Sequence, residues 1–296
     1  MSEPSLEIAT GALIGLARIL SRRPRWLMLT VAKVLGLLVY TLVARRRRVA
    51  LSNLAIAFPE LTPAARQAIA KTHIKTFVVS LIDRFSLWEG PVQQIDQMVR
   101  VSGWSHLASA REAGPVIVLA PHFLGLDAGG LYLSSRLPVV SVYAQQKSQK
   151  LTDAMTSGRA RFPDTSLVLR NEGLRAVLRH LKQGKVLYLL PDMDLGARDA
   201  VFVPFFGLDA ATVTTLSRLA RMTGAQVLPS VTRLQDDRYH FEIFPAWTDL
   251  GELTPEASAR RMNAFIEERV REDPHQYLWT HRRYKTRPPG EPPVYR

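Results

Sequence analysis

The residues whose types and spacing best suit chemistry are His122 and Asp127, within Pro121-His122-Phe123-Leu124-Gly125-Leu126-Asp127. The apolar, partly β-branched run at 115–120 immediately before them predicts a buried strand, and a helical pattern begins at Gly125. An imidazole at a strand-to-helix turn can take a proton from a hydroxyl. A carboxylate one turn further on can hold the ring's other N–H and stabilise the imidazolium. With no nucleophilic side chain between the two, direct attack by an acceptor hydroxyl is favoured over an acyl-enzyme. The competing reading is a histidine at a helix N-terminus beside a solvated aspartate, because a spacing this short also arises by chance.

Three further groups carry polar or apolar chemistry. Asp192 and Asp194 follow the predicted strand 186–190. Together they could bind a divalent cation, but no third hard ligand is spaced to complete the set, and an aspartate at a strand end more often caps a loop or orients a neighbouring base. In Gly158-Arg159-Ala160-Arg161 an arginine could pair with a phosphate, against the plainer reading of an exposed helix face. Phe202-Val203-Pro204-Phe205-Phe206-Gly207 could wall an acyl-chain groove or simply pack in the core. His73, His106, His180, His240, His275 and His281 lack such context and are expected to be structural.

The elements that must position these residues follow from hydrophobic period. Thr62-Pro63 starts a helix expected to run to about Trp88, and a short helix follows Gly90-Pro91. Further strands are predicted at 139–143, 186–190, 226–231 and 239–244. Helical patterns occupy 125–136, 150–161, 173–184, 212–224 and 255–272. Such alternation predicts an α/β fold with a mainly parallel central sheet flanked by helices, and the last ten residues read as a surface tail.

Charge divides the 296-residue chain. Its net +13 comes from residues 8–59, with nine Lys/Arg and no acid, and residues 281–296, with five Lys/Arg against Glu291; the rest is neutral. That is unlike the basic stripe over a folded surface expected of a nucleic-acid reader, so no nucleic acid is expected as partner. Zero cysteines exclude disulfides, a thiol nucleophile and Cys-ligated metal. Residues 26–44 are apolar apart from Lys33 and flanked by arginines, so an apolar anchoring helix on an anionic membrane surface is expected. The expected division is a membrane-associated anchor at 1–48 and a catalytic domain at 49–296. Removal of the first is expected to leave the His122 site folded.

Taken together, the motifs resemble the late (lauroyl/myristoyl) acyltransferases of lipid A biosynthesis, within the lysophospholipid acyltransferase superfamily. The similarity extends from about Arg45 to Tyr295. It rests on Arg46-Arg47-Arg48, Asn53-Leu54, Phe58-Pro59-Glu60, the His122/Asp127 turn, Gly158-Arg159-Ala160-Arg161, Tyr188-Leu189-Leu190-Pro191-Asp192-Met193-Asp194 and the Phe-Phe-Gly segment with Ala210-Ala211-Thr212. Its most specific part is Gln276-Tyr277-Leu278-Trp279-Thr280-His281-Arg282-Arg283-Tyr284-Lys285-Thr286-Arg287-Pro288. The resemblance implies transfer of a fatty acyl chain from acyl carrier protein to a hydroxyacyl chain of a phosphorylated glycolipid acceptor. It places this at the inner membrane, with the catalytic domain on the cytoplasmic side and no metal or other cofactor. His122 then matches the general base and Asp127 its carboxylate partner, where many of these enzymes have Glu. Arg159 and Asp192 match the other polar positions, with Arg161 the alternative to Arg159. Other acceptors within the superfamily, an ornithine lipid or a mannosylated inositol lipid, stay open. So does a non-enzymatic basic protein of the membrane surface or of nucleic acid.

Overall fold

The computed structural model describes residues 3–295; residues 1, 2 and 296 lie outside it. Four helices come first: α1 (Glu3–Ser21), α2 (Arg25–Leu42), α3 (Ala44–Ala57) and α4 (Pro63–Glu89). Helix α5 (Val92–Met98) leads into β1 (Val99–Ser102), and helices then alternate with strands: α6 (Trp104–Ala113), β2 (Val116–Leu119), α7 (Leu126–Ser134), β3 (Val139–Tyr143) and α8 (Gln149–Arg159). The series continues with β4 (Thr165–Leu169), α9 (Leu174–Lys182), β5 (Val186–Leu189), β6 (Ala200–Phe205) and β7 (Leu208–Val213). It closes with α10 (Thr215–Thr223), β8 (Gln226–Gln235), β9 (Arg238–Ile243) and α11 (Pro255–Glu272).

Seven strands form one sheet in the order β1-β9-β8-β2-β5-β3-β4, parallel throughout except where β8 meets β9. The α/β class expected from the alternation is therefore the observed one. Strand β2 is flanked by β8 and β5 and buried at all four positions, which is why it reads as an unbroken apolar run. The edge strands β1 and β4 are missing from the sequence reading because each has half its residues or more only partly buried and carries little apolar signal.

The Phe202–Gly207 segment is not an open groove wall. It forms most of β6 and the turn of the β6–β7 hairpin, and that two-residue turn, Phe206-Gly207, has φ 49° and 78°, the sign at both positions that a type I′ turn requires. Phe205 and Phe206 are buried, with Phe206 ring centroids 5.6 Å from Phe58 and 6.2 Å from Trp279. The C-terminal residues lie on the surface as expected, with 289–293 exposed, and their end is tied down: the Tyr295 hydroxyl donates to Asn53 Oδ1 at 2.5 Å and accepts from the Tyr284 N–H at 3.0 Å.

The N-terminal helices are part of the fold and not a detached anchor. Met28, Ala32 and Gly36, spaced four residues apart, form the buried stripe of α2, which packs on α4 through Val78, Val79 and Ile82. A Cβ at Gly36 would stand 2.6 Å from Lys75 Cα, so the two backbones meet there. Arg25 donates to the buried Asp83 carboxylate, which also accepts from the Tyr239 hydroxyl at 2.7 Å. The division expected at 48 falls inside α3, and removing residues 1–48 would bare the α4 face.

Candidate active site

Two neighbouring strand ends bring the central pair together. In the parallel register of β2 and β5, Leu119 lies opposite Leu189, and His122 and Asp192 each follow three residues later. The His122 Nδ1 lies 2.6 Å from Asp192 Oδ1, and the His122 backbone N–H donates to Asp192 Oδ2 at 2.9 Å. A third donor, the Tyr277 hydroxyl, reaches Oδ2 at 3.1 Å. Asp192 is 1% exposed, and burial pushes its carboxyl up. The His122 charge, those hydrogen bonds and Arg283 outweigh burial and hold it at about 2. An ionised carboxylate only accepts, so Nδ1 carries a proton, and in the neutral ring this leaves the lone pair on Nε2. The ring is 16% exposed, so an incoming group can reach it.

Asp127, which the spacing suggested as the partner of His122, makes its hydrogen bond to Arg159 and meets His122 only through charge. It sits in the first turn of α7, 5% exposed, where Oδ1 accepts from Arg159 Nε at 2.7 Å and Oδ2 lies 2.9 Å from Arg84 Nε. Burial alone would raise its pKa; Arg159 and Arg84 overcome this and hold it at about 2. The physical reason for the difference is direction. An aspartate in the first turn of a helix faces the arginines of α8 and α4, whereas the adjacent strand end lies alongside the imidazole.

Arg159 is the last residue of α8, and Gly158 before it is what allows the placement: a Cβ there would stand 2.2 Å from Trp88 Cγ of α4. Arg161 stands elsewhere. Its guanidinium donates to the carbonyls of Leu87 and Gly90, satisfying the C-terminal end of α4. Arg161→Ala is therefore expected to cost ~1 kcal/mol of stability. It is expected to leave kcat within about twofold, checked by a denaturant midpoint beside an initial-rate assay.

Asp192 and Asp194 also part company. Asp194 accepts from Thr286 through its backbone N–H at 2.6 Å and its hydroxyl at 2.8 Å, tying down the C-terminal segment. Among the described residues no group of three or more His, Asp or Glu is arranged to hold a metal ion.

Several contributors escaped the sequence reading. Arg84 sits within a helix read only for its apolar face. Tyr277 and His281 belong to the 276–288 run, which carries the most specific resemblance and so held the signal. Leu278 N–H donates to the His122 carbonyl at 3.0 Å, and Leu124 N–H to the Gln276 carbonyl at 2.8 Å, so this run staples the His122 turn. His281 holds the structural place expected of it, accepting from the Asp194 N–H at 3.0 Å; burial, then the nearby His122 charge, depress it to about 4.

A doubly flanked parallel sheet carries, beyond the ends of two central strands, an imidazole oriented by a buried carboxylate and a second carboxylate clamped by two arginines. That arrangement, at the carboxyl ends of the strands, marks the candidate active site of an α/β protein. The sequence matches the family model of the bacterial lipid A biosynthesis acyltransferases over residues 5–286, and the chain belongs to that family. It is 31% identical to the lipid A biosynthesis lauroyltransferase of Escherichia coli K12 over 88% of this chain and 86% of that one. It is also 29% identical to the palmitoleoyltransferase of the same strain, with the same coverage. Identity to its myristoyltransferase is 30%, over 83% of this chain and 77% of that one.

Proposed function

We propose that this acyltransferase moves a fatty acyl chain, lauroyl or myristoyl, from the thioester of acyl carrier protein to the hydroxyl of a hydroxyacyl chain on a lipid A precursor. The observation that carries the reading is the His122–Asp192 pair, because it leaves one basic nitrogen on a ring that is partly exposed. His122 Nε2 removes the acceptor hydroxyl proton as its oxygen attacks the thioester carbonyl. Asp192 stabilises the imidazolium through Nδ1–H. Collapse of the tetrahedral intermediate forms the ester, breaks the C–S bond, and returns the proton from Nε2 to the departing thiolate. The step balances without a metal or other cofactor. Arg159, held in place by Asp127, is assigned to substrate binding or to the oxyanion of the intermediate; the cavity the two line is only about 30 Å³, room for about one water and not for an acyl chain. Supplying acyl carrier protein thioesters of several lengths with a phosphorylated lipid A precursor tests the reading; absence of transfer, or transfer only to an ornithine or mannosylated inositol lipid, would overturn it.

Attachment to the anionic inner-membrane surface, on the cytoplasmic side, is part of the same proposal. Trp26, Val34, Leu37, Leu38 and Leu42 of α2 and Ile8, Leu13, Leu16 and Ile19 of α1 are exposed and apolar, with Arg22, Arg23, Arg45, Arg46 and Arg48 beside them also exposed. Helix α2 is long and apolar enough to cross a bilayer, but it lies along α4, whose Lys71 and Lys75 would then enter hydrocarbon. Lying in the interface avoids that cost. Leu37→Glu with Leu38→Glu is expected to weaken binding to anionic vesicles about tenfold or more, with thermal unfolding unchanged; flotation with the vesicles measures it.

A further inference from the structure

Helix α1 reaches the site through a contact that the reaction itself does not use. Ser148 caps α8, accepting from the Leu151 N–H at 3.4 Å, and the first turn of α8 is completed from outside the helix. The Glu7 carboxylate of α1 accepts from the Gln149 N–H at 2.7 Å, the Lys150 N–H at 3.3 Å and the Ser148 hydroxyl at 3.0 Å. Lys150 then lies over Gly11, where a Cβ would stand 3.1 Å from its Nζ. At its other end α8 finishes on Arg159, which holds Asp127.

We infer that Glu7 is a positioning residue: through the dipole and first-turn amides of α8, it fixes the helix that delivers Arg159 to Asp127. The face of α1 turned away from the protein carries Ile8, Leu13, Leu16 and Ile19, so the helix proposed to lie on the membrane is also a support of the candidate site. Helix α8 is a rigid rod about 16 Å long, held on Trp88 by Gly158. Loosening its N-terminus therefore lets it slide along α4 and displaces Arg159.

This inference rests on the proposed role of the Arg159–Asp127 pair, and its test separates the two. With full-length protein on vesicles of phosphatidylethanolamine and phosphatidylglycerol, Glu7→Ala is expected to lower kcat roughly 3- to 10-fold with the acyl-donor KM within about twofold. Glu7→Gln, which keeps an acceptor oxygen, is expected to fall between that variant and the wild type. Hydrogen exchange at the Gln149 and Lys150 amides is expected to quicken in Glu7→Ala while vesicle binding stays as in the wild type. Unchanged kcat with faster exchange would overturn the inference, as would a loss of activity that merely follows loss of vesicle binding. If Glu7→Ala fails to fold, Glu7→Gln alone decides by the same readouts. Full activity of Arg159→Ala would instead overturn the reading of the site beneath it.

Discussion

His122→Ala is expected to lose acyl transfer by about 10²- to 10⁴-fold in kcat, with the fold retained but less stable, because the buried Asp192 loses its Nδ1 partner and keeps the backbone N–H of residue 122, the Tyr277 hydroxyl and the Arg283 charge. Asp192→Asn is expected to fall in the same range. An asparagine offers the ring either an acceptor or a donor, and any tautomer that places the proton on Nε2 has no lone pair for the acceptor hydroxyl. The two substitutions together should cost little more than either alone, since the residues act as one unit. Steady-state rates with purified enzyme, read beside thermal unfolding, decide it. A non-enzymatic basic protein would show no such loss, and an Asp192→Asn variant at wild-type rate would return the role of ring partner to another group.

The second large effect concerns stability. Asp127→Ala leaves the Arg159 and Arg84 guanidinium groups facing each other in a largely buried place, with side-chain exposures of 21% and 17%. Breaking a buried pair by removing one partner costs about 3–5 kcal/mol, and here one carboxylate serves two cations. A lower denaturant midpoint is expected, together with a loss of activity through the displaced Arg159. The pH dependence follows in sign. Asp127 and Asp192 have folded-state pKa values held at about 2, below their ordinary 3.8. Their stabilisation is therefore full above about pH 4–5 and is lost as the pH falls through about 2. Relative to the wild type, Asp127→Asn should start from lower stability and lose less of it between pH 5 and 2, a difference that urea unfolding at each pH measures. An acid limb of unchanged slope would mean that Asp127 is not held ionised by its arginines.

Much of the fold was legible because its central strands are buried on both faces and so read as continuous apolar runs. The long helix α4 announces itself by Thr62-Pro63, where the Thr62 hydroxyl accepts the Ala65 N–H. Elements at the margin were not legible. Strand β4 is an edge strand with a single buried residue, and the β6–β7 hairpin lacks the Asn-Gly or Asp-Gly turn that signals one. In its place stands Phe206, a bulky residue with positive φ, kept there by packing against Phe58 and Trp279.

The site shows the same division. Residue type and position after a buried strand single out His122, and the 276–288 run marks the segment that staples it. Which carboxylate serves the imidazole is a question of register between β2 and β5, separated by 67 residues along the chain, from Leu119 to Val186. Spacing favours Asp127 because it is near in sequence; space favours Asp192 because the two strand ends run side by side. Arg159 and Arg161 are likewise equivalent as letters. Only the end of α8 distinguishes them, sending one guanidinium to Asp127 and the other to the carbonyls closing α4.

The sequence by itself determined the α/β class and the concentration of positive charge at the two ends, which depend on local period and composition, and, through the motifs it carries, the family. The tertiary structure alone decided how the basic, apolar N-terminus is used. Its helices pack along α4 and complete the first turn of α8, joining residues 39 positions apart at Gly36 and Lys75 and 142 apart at Glu7 and Gln149, beyond the reach of any local pattern.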